Sequence, residues 1–328
     1  MKGKTAIKKL GVIGAGSIAS HHLRAAQENG FVLDSICARD NSENSKRLGQ
    51  EFRFRHIFST FEELLISPVD AYLVLTNTKS QVPIARRLLE KKKPILIEKP
   101  VSTNPFLIQE LDLEDKFKQV AVGYNRRNLS SIHSLRSYLS RSPMTYFTLS
   151  ISELSTISSP NTEQIEKTVL ENTVHVLDLV IFLFGKPDYW KITGIDFENR
   201  MFARTLNFFY GGIHKGTILI TIGTPDNWSM QVYSPGHRFV LSPLESFVHY
   251  NEVGVRQITP RRPNKVYVPL GTSIWKPANE DIKFKAGFYR QMEDFYKFVT
   301  TQERPDTLAS LSEAFFASTI AQQILQKI

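Results

Sequence analysis

Cysteine is almost absent from this chain of 328 residues, because Cys37 is its single representative. One thiol cannot form an intramolecular disulfide, and it cannot supply the several thiolates of a cysteine metal cluster. Cys37 lies in an apolar segment, which favours core packing over a nucleophilic role. The composition therefore excludes a disulfide-stapled scaffold, predicts no metal site and favours a reducing, cytoplasmic setting.

Long apolar runs are also lacking. The basic start Met1-Lys2-Gly3-Lys4 is followed by an apolar segment too short for a signal peptide, and no later stretch is long enough to span a bilayer. We therefore expect no membrane partner. The formal net charge is +9, but the basic residues stand in short, separate clusters without an aromatic nucleic-acid motif. This distribution favours small anionic ligands and predicts no nucleic-acid partner.

Length and patterning predict two α/β domains. A chain of this length with 41% hydrophobic residues can form two cores. Between Leu10 and Gly123, buried-strand patterns alternate with helical patterns, which predicts a doubly wound parallel sheet. The second half contains β-rich segments at residues 145–152, 206–210 and 217–223, separated by Gly, Pro and Asn.

The turn after the first predicted strand reads Gly14-Ala15-Gly16-Ser17-Ile18-Ala19, and a helical pattern follows it. Gly14 allows a tight turn, Gly16 lets the main chain approach a pyrophosphate, and Ala19 keeps the helix close to the strand. The unpaired N–H groups of the helix N-terminus then face the anion. Gly-rich turns also occur without ligands, but the strand–turn–helix context favours a dinucleotide bound by Gly14, Gly16, Ser17 and Ile18.

The end of the second predicted strand, Cys37-Ala38-Arg39-Asp40, bears on the choice of cofactor. Ala38 stands where an acidic residue usually accepts hydrogen bonds from the ribose of NAD. Arg39 could pair with the 2′-phosphate of NADP, stack on adenine or remain a solvated loop cation, and Asp40 could still reach a ribose. The sequence therefore predicts NADP or NAD, with a slight preference for NADP.

Three later motifs carry a family resemblance. They are Glu98-Lys99-Pro100 at the end of a strand, residues 122–127 (Val-Gly-Tyr-Asn-Arg-Arg) after the next strand, and His175 with Asp178. Together with the glycine-rich turn, this ordered set resembles the Gfo/Idh/MocA family of glucose–fructose oxidoreductases, inositol dehydrogenases and rhizopine-catabolism dehydrogenases over nearly the whole chain. The resemblance implies a Rossmann domain over residues 1–123 and a second α/β domain over residues 124–328. The second domain would carry a large, mostly antiparallel open sheet that often mediates oligomerisation, here into a homodimer or homotetramer.

The resemblance also implies an activity, which is hydride transfer between a nicotinamide cofactor and a hydroxyl-bearing carbon of a sugar. A nucleotide-sugar or another anionic sugar derivative fits the basic charge. Lys99 matches the family lysine that hydrogen-bonds the reacting oxygen, and His175 matches the histidine that exchanges the hydroxyl proton. Glu171 stands where many members carry Asp and is a third catalytic candidate, while Asn172 could occupy that polar position instead.

The remaining candidates surround the same predicted cleft, because ligands of doubly wound sheets bind beyond the carboxyl ends of the strands. The further predicted cofactor contacts are Thr76, Asn77, Gln81, Glu98 and Lys99, and the predicted substrate contacts are Tyr124, Asn125, Arg126, Asn172 and His175. Arg126 or Arg127 could bind a phosphate or carboxylate, and a salt bridge explains at least one of them equally well. A helix predicted from Val169 to Leu183 would bring Glu171, His175 and Asp178 to one face.

Two other functions stay open at this point. Thr76-Asn77-Thr78 replaces the family's usual Thr-Pro-Asn, and Gln81 stands where a histidine is common. These departures, with Glu171, leave room for a non-catalytic dinucleotide-binding sensor on the same fold. A redox-assisted glycosidase, in which a retained cofactor oxidises and later restores the sugar, is the second alternative.

Overall fold

The computed structural model describes residues 7–38, 43–141, 144–154, 160–197, 201–259 and 262–326. By their internal contacts these residues form two compact units. Unit 1 comprises Met1–Asn128, Val169–Phe182 and Asn279–Gln322, and unit 2 comprises Leu129–Thr168, Leu183–Ala278 and Gln323–Ile328. Unit 1 thus includes two later segments of the chain. The boundary between residues 123 and 124 stays a prediction.

The elements follow one another along the chain as helices and strands of ordinary length. The strands are β1 (Lys8–Ile13), β2 (Phe31–Cys37), β3 (His56–Phe58), β4 (Ala71–Val74), β5 (Ile95–Ile97), β6 (Val120–Val122), β7 (Thr145–Glu153), β8 (Tyr189–Phe197), β9 (Met201–Tyr210), β10 (His214–Ile222), β11 (Ser229–Ser234), β12 (His237–Leu241), β13 (Phe247–Thr259) and β14 (Arg262–Trp275). The α-helices are α1 (Ala19–Glu28), α2 (Glu43–Glu51), α3 (Phe61–Leu65), α4 (Thr78–Leu89), α5 (Pro105–Glu114), α6 (Ser130–Leu139), α7 (Thr162–Thr168), α8 (Val174–Phe184), α9 (Asn279–Lys283), α10 (Phe288–Thr301) and α11 (Leu311–Leu325). Within the described ranges, no helix has both the length and the apolar character needed to cross a bilayer.

Unit 1 is built on a six-stranded parallel sheet with the order β3-β2-β1-β4-β5-β6. All residues of β4, β5 and β6 are buried, as expected for parallel strands that are covered on both faces. The strand order reverses between β1 and β4, which is where doubly wound sheets bind their ligands. The predicted doubly wound parallel sheet is confirmed.

The core of unit 1 contains apolar residues from early and late parts of the chain. Leu10 and Val12 of β1 belong to the same buried apolar cluster as Phe288, Met292 and Phe295 of α10. Helix α10 also packs along α1, the helix that follows the glycine-rich turn. The late segment therefore packs against the strand and the helix that flank the turn.

Unit 2 contains an eight-stranded sheet with the order β14-β13-β12-β11-β7-β10-β9-β8. Strands β7 and β10 pair in parallel, and the other neighbours pair antiparallel. A second, mostly antiparallel sheet was predicted, and it is confirmed. The three β-rich segments recognised in the sequence fall in β7, β9 and β10, whereas β8 and β11 to β14 were not recognised.

One face of this sheet carries a row of aromatic side chains. Tyr233, Tyr146, Lys215, Phe209 and Tyr189 are successive cross-strand partners on β11, β7, β10, β9 and β8. Tyr146, Tyr189 and Tyr233 are exposed, and the rings of Tyr189 and Phe209 stack with centroids 4.3 Å apart. We call these five residues the aromatic row.

The last two strands extend past their neighbour in the sheet. In the described strands, β12 pairs with β13 only at positions 248–250, while β14 accompanies β13 as far as Thr259. From Glu252 and Leu270 outward the two strands form a two-stranded ribbon. Its apolar residues Val253, Val255 and Tyr267 are exposed. We call this segment the distal ribbon.

Candidate active site

The glycine-rich turn occupies the five residues between β1 and α1. Gly14 has a φ of +107°, and a Cβ atom there would lie 2.5 Å from the carbonyl oxygen of Leu75, so only glycine fits. A Cβ on Gly16 would lie 3.8 Å from the same oxygen, which is an ordinary contact, so the described residues leave space at Gly16. No side chain of the described residues caps the N-terminus of α1 at Ile18. The first N–H groups of this ten-residue helix are therefore suited to an anionic ligand.

A cavity of about 810 Å³ adjoins this turn and lies entirely within unit 1. Seven of the predicted cofactor residues line it: Gly14, Gly16, Ser17, Ile18, Ala38, Thr76 and Asn77. The cavity is also lined by residues that no sequence pattern indicated, which are Asn44, Ser59, Thr60, Phe61, Glu62, Ser80 and Ile84. Ser59 and Thr60 directly follow β3, so the strand-end rule could have found them. Arg39 and Asp40 lie outside the described residues.

Cys37 also lines this cavity at the end of β2. Its carbonyl oxygen accepts a hydrogen bond from the Gly14 N–H at 2.8 Å, which fixes the start of the turn. Burial raises the pKa of the Cys37 thiol to about 12. The thiol is therefore protonated at neutral pH, which fits packing rather than nucleophilic attack.

The segment Thr76-Asn77 forms the entrance to α4. Asn77 caps this helix, because its Oδ1 accepts a hydrogen bond from the Ser80 N–H at 3.2 Å. Gln81 is buried and donates from Nε2 to the Thr76 carbonyl oxygen at 3.1 Å. Thr76 Oγ1 and Gln81 Oε1 are buried without a hydrogen-bond partner among the described residues. Buried polar atoms of this kind are suited to a ligand in the neighbouring cavity.

Glu98 and Lys99 follow β5, and both ends of Lys99 are held. The Lys99 main-chain N–H donates to Glu98 Oε2 at 3.1 Å, and its ammonium donates to the Glu171 carbonyl oxygen at 2.9 Å. Glu98 Oε1 lies 2.6 Å from Nε2 of His22, a residue of α1 that no sequence motif indicated. The structure thus brings the two motifs at Gly14 and Glu98 together through a buried histidine.

A π-helical turn at Val169–Thr173 precedes α8, so the predicted regular helix from Val169 to Leu183 is wrong in its first turn. A π turn is wider than an α turn and interrupts the three- to four-residue spacing on which the shared face depended. It is the main-chain carbonyl of Glu171 that contacts Lys99. The role of the Glu171 carboxylate stays a prediction, as does that of Asn172, which is exposed.

His175 is buried at the start of α8. Burial is the main cause that holds the pKa of His175 well below its usual value, and the positive charges of Lys99, Arg126 and Lys285 lower it further. Its Nδ1 has no hydrogen-bond partner in the described part of the chain. A neutral imidazole carries one acceptor nitrogen, through which it can take up a proton, as a general base must.

Tyr124 lies beside His175, with ring centroids 5.8 Å apart in an edge-on arrangement. It is 1% exposed, and its hydroxyl lacks a hydrogen-bond partner among the described residues. Burial raises the pKa of Tyr124 well above its usual value, so the hydroxyl remains a donor. Two predicted site residues therefore present unused polar atoms in the same unit.

The two arginines near this site differ in their roles. Arg127 is fully buried and binds Asp178 through two hydrogen bonds of 2.7 and 2.6 Å, and it donates to Glu313 at 2.9 Å. Arg127 is thus the structural member of the pair, and Asp178 serves this ion pair. Arg126 contributes positive charge at His175 instead. Asn125 donates from Nδ2 to the Ala286 carbonyl oxygen at 3.0 Å.

Comparisons with known proteins agree with this geometry. Residues 8–125 match the family model of the Gfo/Idh/MocA oxidoreductases, described as an oxidoreductase family with an NAD-binding Rossmann fold. Comparison with curated proteins found no significant match.

Solved structures with a similar fold include a dehydrogenase from Chromobacterium violaceum, with a TM-score of 0.80 at 14% identity over 97% of this chain and 94% of that one. UDP-N-acetylglucosamine 3-dehydrogenase from Acidithiobacillus ferrooxidans has a TM-score of 0.75 at 17% identity, over 97% and 96% of the two chains. Levoglucosan dehydrogenase, solved with NADH and L-sorbose, has a TM-score of 0.76 at 14% identity, over 97% and 95%. These identities are low, and the likeness shows the fold.

The glycine-rich turn, the cavity beside it and the matched segment all belong to one unit of the structure. Residues 8–125, which contain this turn and all the residues that line the cavity, are thus similar to the NAD-binding Rossmann fold of the Gfo/Idh/MocA oxidoreductase family.

Proposed function

We propose that the protein is a nicotinamide-dependent dehydrogenase that acts on a hydroxyl-bearing carbon of a sugar or sugar derivative. The observation that carries the proposal is the placement of Lys99. Its ammonium is anchored on the Glu171 carbonyl oxygen, and its charge acts on the buried His175. An anchored cation and a neutral base are the two groups that deprotonation of an alcohol requires.

The proposed cofactor site is the cavity at the glycine-rich turn. Gly16 leaves room for a pyrophosphate at the N-terminus of α1, and Gly14 allows the tight turn beside it. Thr76 Oγ1 and Gln81 Oε1 have no hydrogen-bond partner among the described residues. Bound there, a nicotinamide dinucleotide supplies the hydride acceptor or donor. Because Ala38 lines the cavity where an acid is usual in NAD sites, we propose a slight preference for NADP, with Arg39 as the contact to the 2′-phosphate.

The chain's own residues handle the hydroxyl proton. We assign Lys99 as the hydrogen-bond donor to the reacting oxygen, where a cation stabilises negative charge as it develops. His175 accepts the proton in oxidation and returns it in reduction, because its lowered pKa keeps the imidazole neutral. Glu171 is proposed to assist His175 or to bind a sugar hydroxyl.

The proposed substrate contacts lie around these two groups. The Tyr124 hydroxyl and His175 Nδ1 have unused hydrogen-bonding capacity, and Asn125, Arg126 and Asn172 complete the set. Arg126 provides a positive charge, which favours an anionic sugar such as a nucleotide-sugar. The solved structures of a UDP-N-acetylglucosamine dehydrogenase and of a sorbose-bound dehydrogenase on the same fold support a carbohydrate substrate.

A screen of NAD⁺ and NADP⁺ reduction against sugars, cyclitols and nucleotide-sugars tests the proposal. We expect turnover with at least one carbohydrate, tighter binding of NADPH than of NADH, and a loss of kcat of about 10²–10³-fold in Lys99→Ala. Lys99→Ala should still bind the cofactor, as measured by nicotinamide fluorescence. Cofactor binding without turnover of any carbohydrate contradicts the dehydrogenase assignment and favours a sensor.

A further inference from the structure

We propose that His22 is a positioning residue, which holds the Glu98 carboxylate in place so that Glu98 in turn fixes Lys99. The catalytic consequence of this inference rests on the proposed function. The geometric part does not, because it concerns contacts within unit 1 alone.

His22 is buried, and Glu98 is its polar contact. Its side chain is fully buried on α1, and its Nε2 lies 2.6 Å from Glu98 Oε1. Since an ionised carboxylate can only accept hydrogen bonds, Nε2 is the donor. The Phe288 ring packs edge-on against the imidazole, with centroids 4.7 Å apart. The other ring nitrogen, Nδ1, is buried without a hydrogen-bond partner among the described residues, so Glu98 is the polar contact that orients the imidazole.

The Glu98 carboxylate is held by contacts on both of its oxygens. Its other oxygen accepts the Lys99 main-chain N–H at 3.1 Å, so the two carboxylate oxygens have different partners. Gly123, at the end of β6, would place a Cβ atom 3.1 Å from Glu98 Oε1. Glycine at this position therefore leaves the carboxylate just enough room. Rotation of Glu98 away from this orientation breaks both hydrogen bonds at once.

Lys99 is held by hydrogen bonds at both ends. Its main-chain nitrogen is set by Glu98, and its ammonium is set by the Glu171 carbonyl oxygen. With both ends fixed, the long side chain has little freedom, which is what a group that meets a reacting oxygen needs. Loss of His22 releases Glu98 and thereby one of the two anchors.

A purely structural role for His22 is the competing explanation, and the chain offers a matched control. His21 precedes it on the same helix and lies near the same Phe288 ring, with centroids 6.0 Å apart. In the described structure the hydrogen bond to Glu98 comes from His22 and not from His21. His21→Leu therefore changes a histidine of α1 while leaving the Glu98 contact in place.

The test measures the reactivity of Lys99 without any substrate. Trace labelling with acetic anhydride, read by peptide mass spectrometry, gives the labelling rate of the Lys99 amine relative to the exposed Lys46. We expect His22→Leu to change this ratio by about fivefold or more, as loss of one buried hydrogen bond allows. His22→Gln should restore it, because an amide N–H can reach Glu98. His21→Leu should leave it unchanged.

Activity provides the second readout. With a carbohydrate found in the screen, His22→Leu should lower kcat by about 10²-fold while NADH affinity stays the same. An unchanged Lys99 labelling ratio in folded His22→Leu overturns the inference, as does a ratio that His22→Gln fails to restore. If His22→Leu does not fold, Glu98→Gln is measured for the same change in labelling. If the wild-type protein turns over no carbohydrate, the proposed function fails and the labelling result still decides the role of His22.

Discussion

At the scale of single residues, burial shifts the pKa values of His175 and Asp178 in opposite directions. The two residues lie on neighbouring turns of α8. Burial lowers the pKa of His175 and raises the pKa of Asp178 to about 6, since it disfavours the charged form of each. Arg127 opposes the shift of Asp178 through its two hydrogen bonds. For His175 the nearby charges are positive and add to the effect of burial. Asp178 is thus committed to an ion pair, and His175 remains a neutral base.

This difference makes a prediction for the pH dependence of stability. Because the pKa of His175 in the folded protein lies below its usual 6.5, the unfolded chain binds a proton below that pH which the folded chain does not. The free energy of unfolding should therefore decrease as the pH falls through this range, with a contribution from His175 of up to about 1.4 kcal/mol per pH unit. His175→Gln should remove that contribution.

Urea unfolding of both proteins at about pH 7.5 and about pH 5.5 measures the effect. Asp178 titrates in both proteins, so its contribution cancels in the difference. Equal losses of stability in the two proteins between these pH values contradict the prediction.

At the scale of elements, the π-helical turn at Val169–Thr173 carries the contact on which the site depends. A π turn inserts one residue relative to an α-helix and changes where its carbonyl groups point. Here the Glu171 carbonyl oxygen accepts the Lys99 ammonium. The apolar residues of α8 that follow stay buried, so the wider turn is accommodated without loss of the packed face.

Deletion of Asn172 tests the importance of this turn. Asn172 is exposed, and its removal should convert the π turn into an α turn while α8 keeps its packing. We expect a folded protein that still binds NADH but loses the carbonyl acceptor of Lys99, with kcat reduced by about 10²-fold. Circular dichroism, NADH titration and turnover measure the three properties. Asn172→Ala keeps the turn and removes only the proposed substrate contact of the side chain, so it is the control for that loss. A kcat that is equal in the two variants contradicts the prediction.

Local patterns explain which elements could be predicted from the sequence. The strands of the parallel sheet are short apolar runs, and the turn at Gly14 needs its residue types for local backbone reasons, so both were found. The Lys99–Glu171 and His22–Glu98 contacts were missed because each joins residues more than 70 positions apart. Strands such as β13 alternate weakly and expose much of their length, hence their periodicity gave no clear signal.

At the scale of the whole molecule, the aromatic row bears on assembly. Three exposed tyrosines and Phe209 cross five adjacent strands of the sheet in unit 2, around Lys215. Exposed apolar rows of this kind mark interaction surfaces more often than isolated apolar residues do. We propose that this face joins two copies of the chain in a homodimer or homotetramer.

The assembly prediction concerns Tyr146, which lies between Tyr233 and Lys215 in the aromatic row. Tyr146→Glu should place a charge in the interface and shift the protein to monomer at micromolar concentration, because burying an unpaired carboxylate is costly. Size-exclusion chromatography with light scattering measures the mass. Ile66→Glu, at an exposed apolar residue of unit 1, is the matched control and should leave the mass unchanged. A monomeric wild-type protein contradicts the proposal.

The distal ribbon has a consequence for the behaviour of the protein at high concentration. Beyond position 250, the described parts of β13 and β14 pair only with each other, so each has an outer edge of main-chain N–H and C=O groups open to a further strand. Together with the exposed Val253, Val255 and Tyr267, these edges can accept strands of other molecules, and we expect aggregation to begin there at high concentration. Shortening the hairpin back to the Glu252–Leu270 pair removes these edges and keeps the register of β12 with β13.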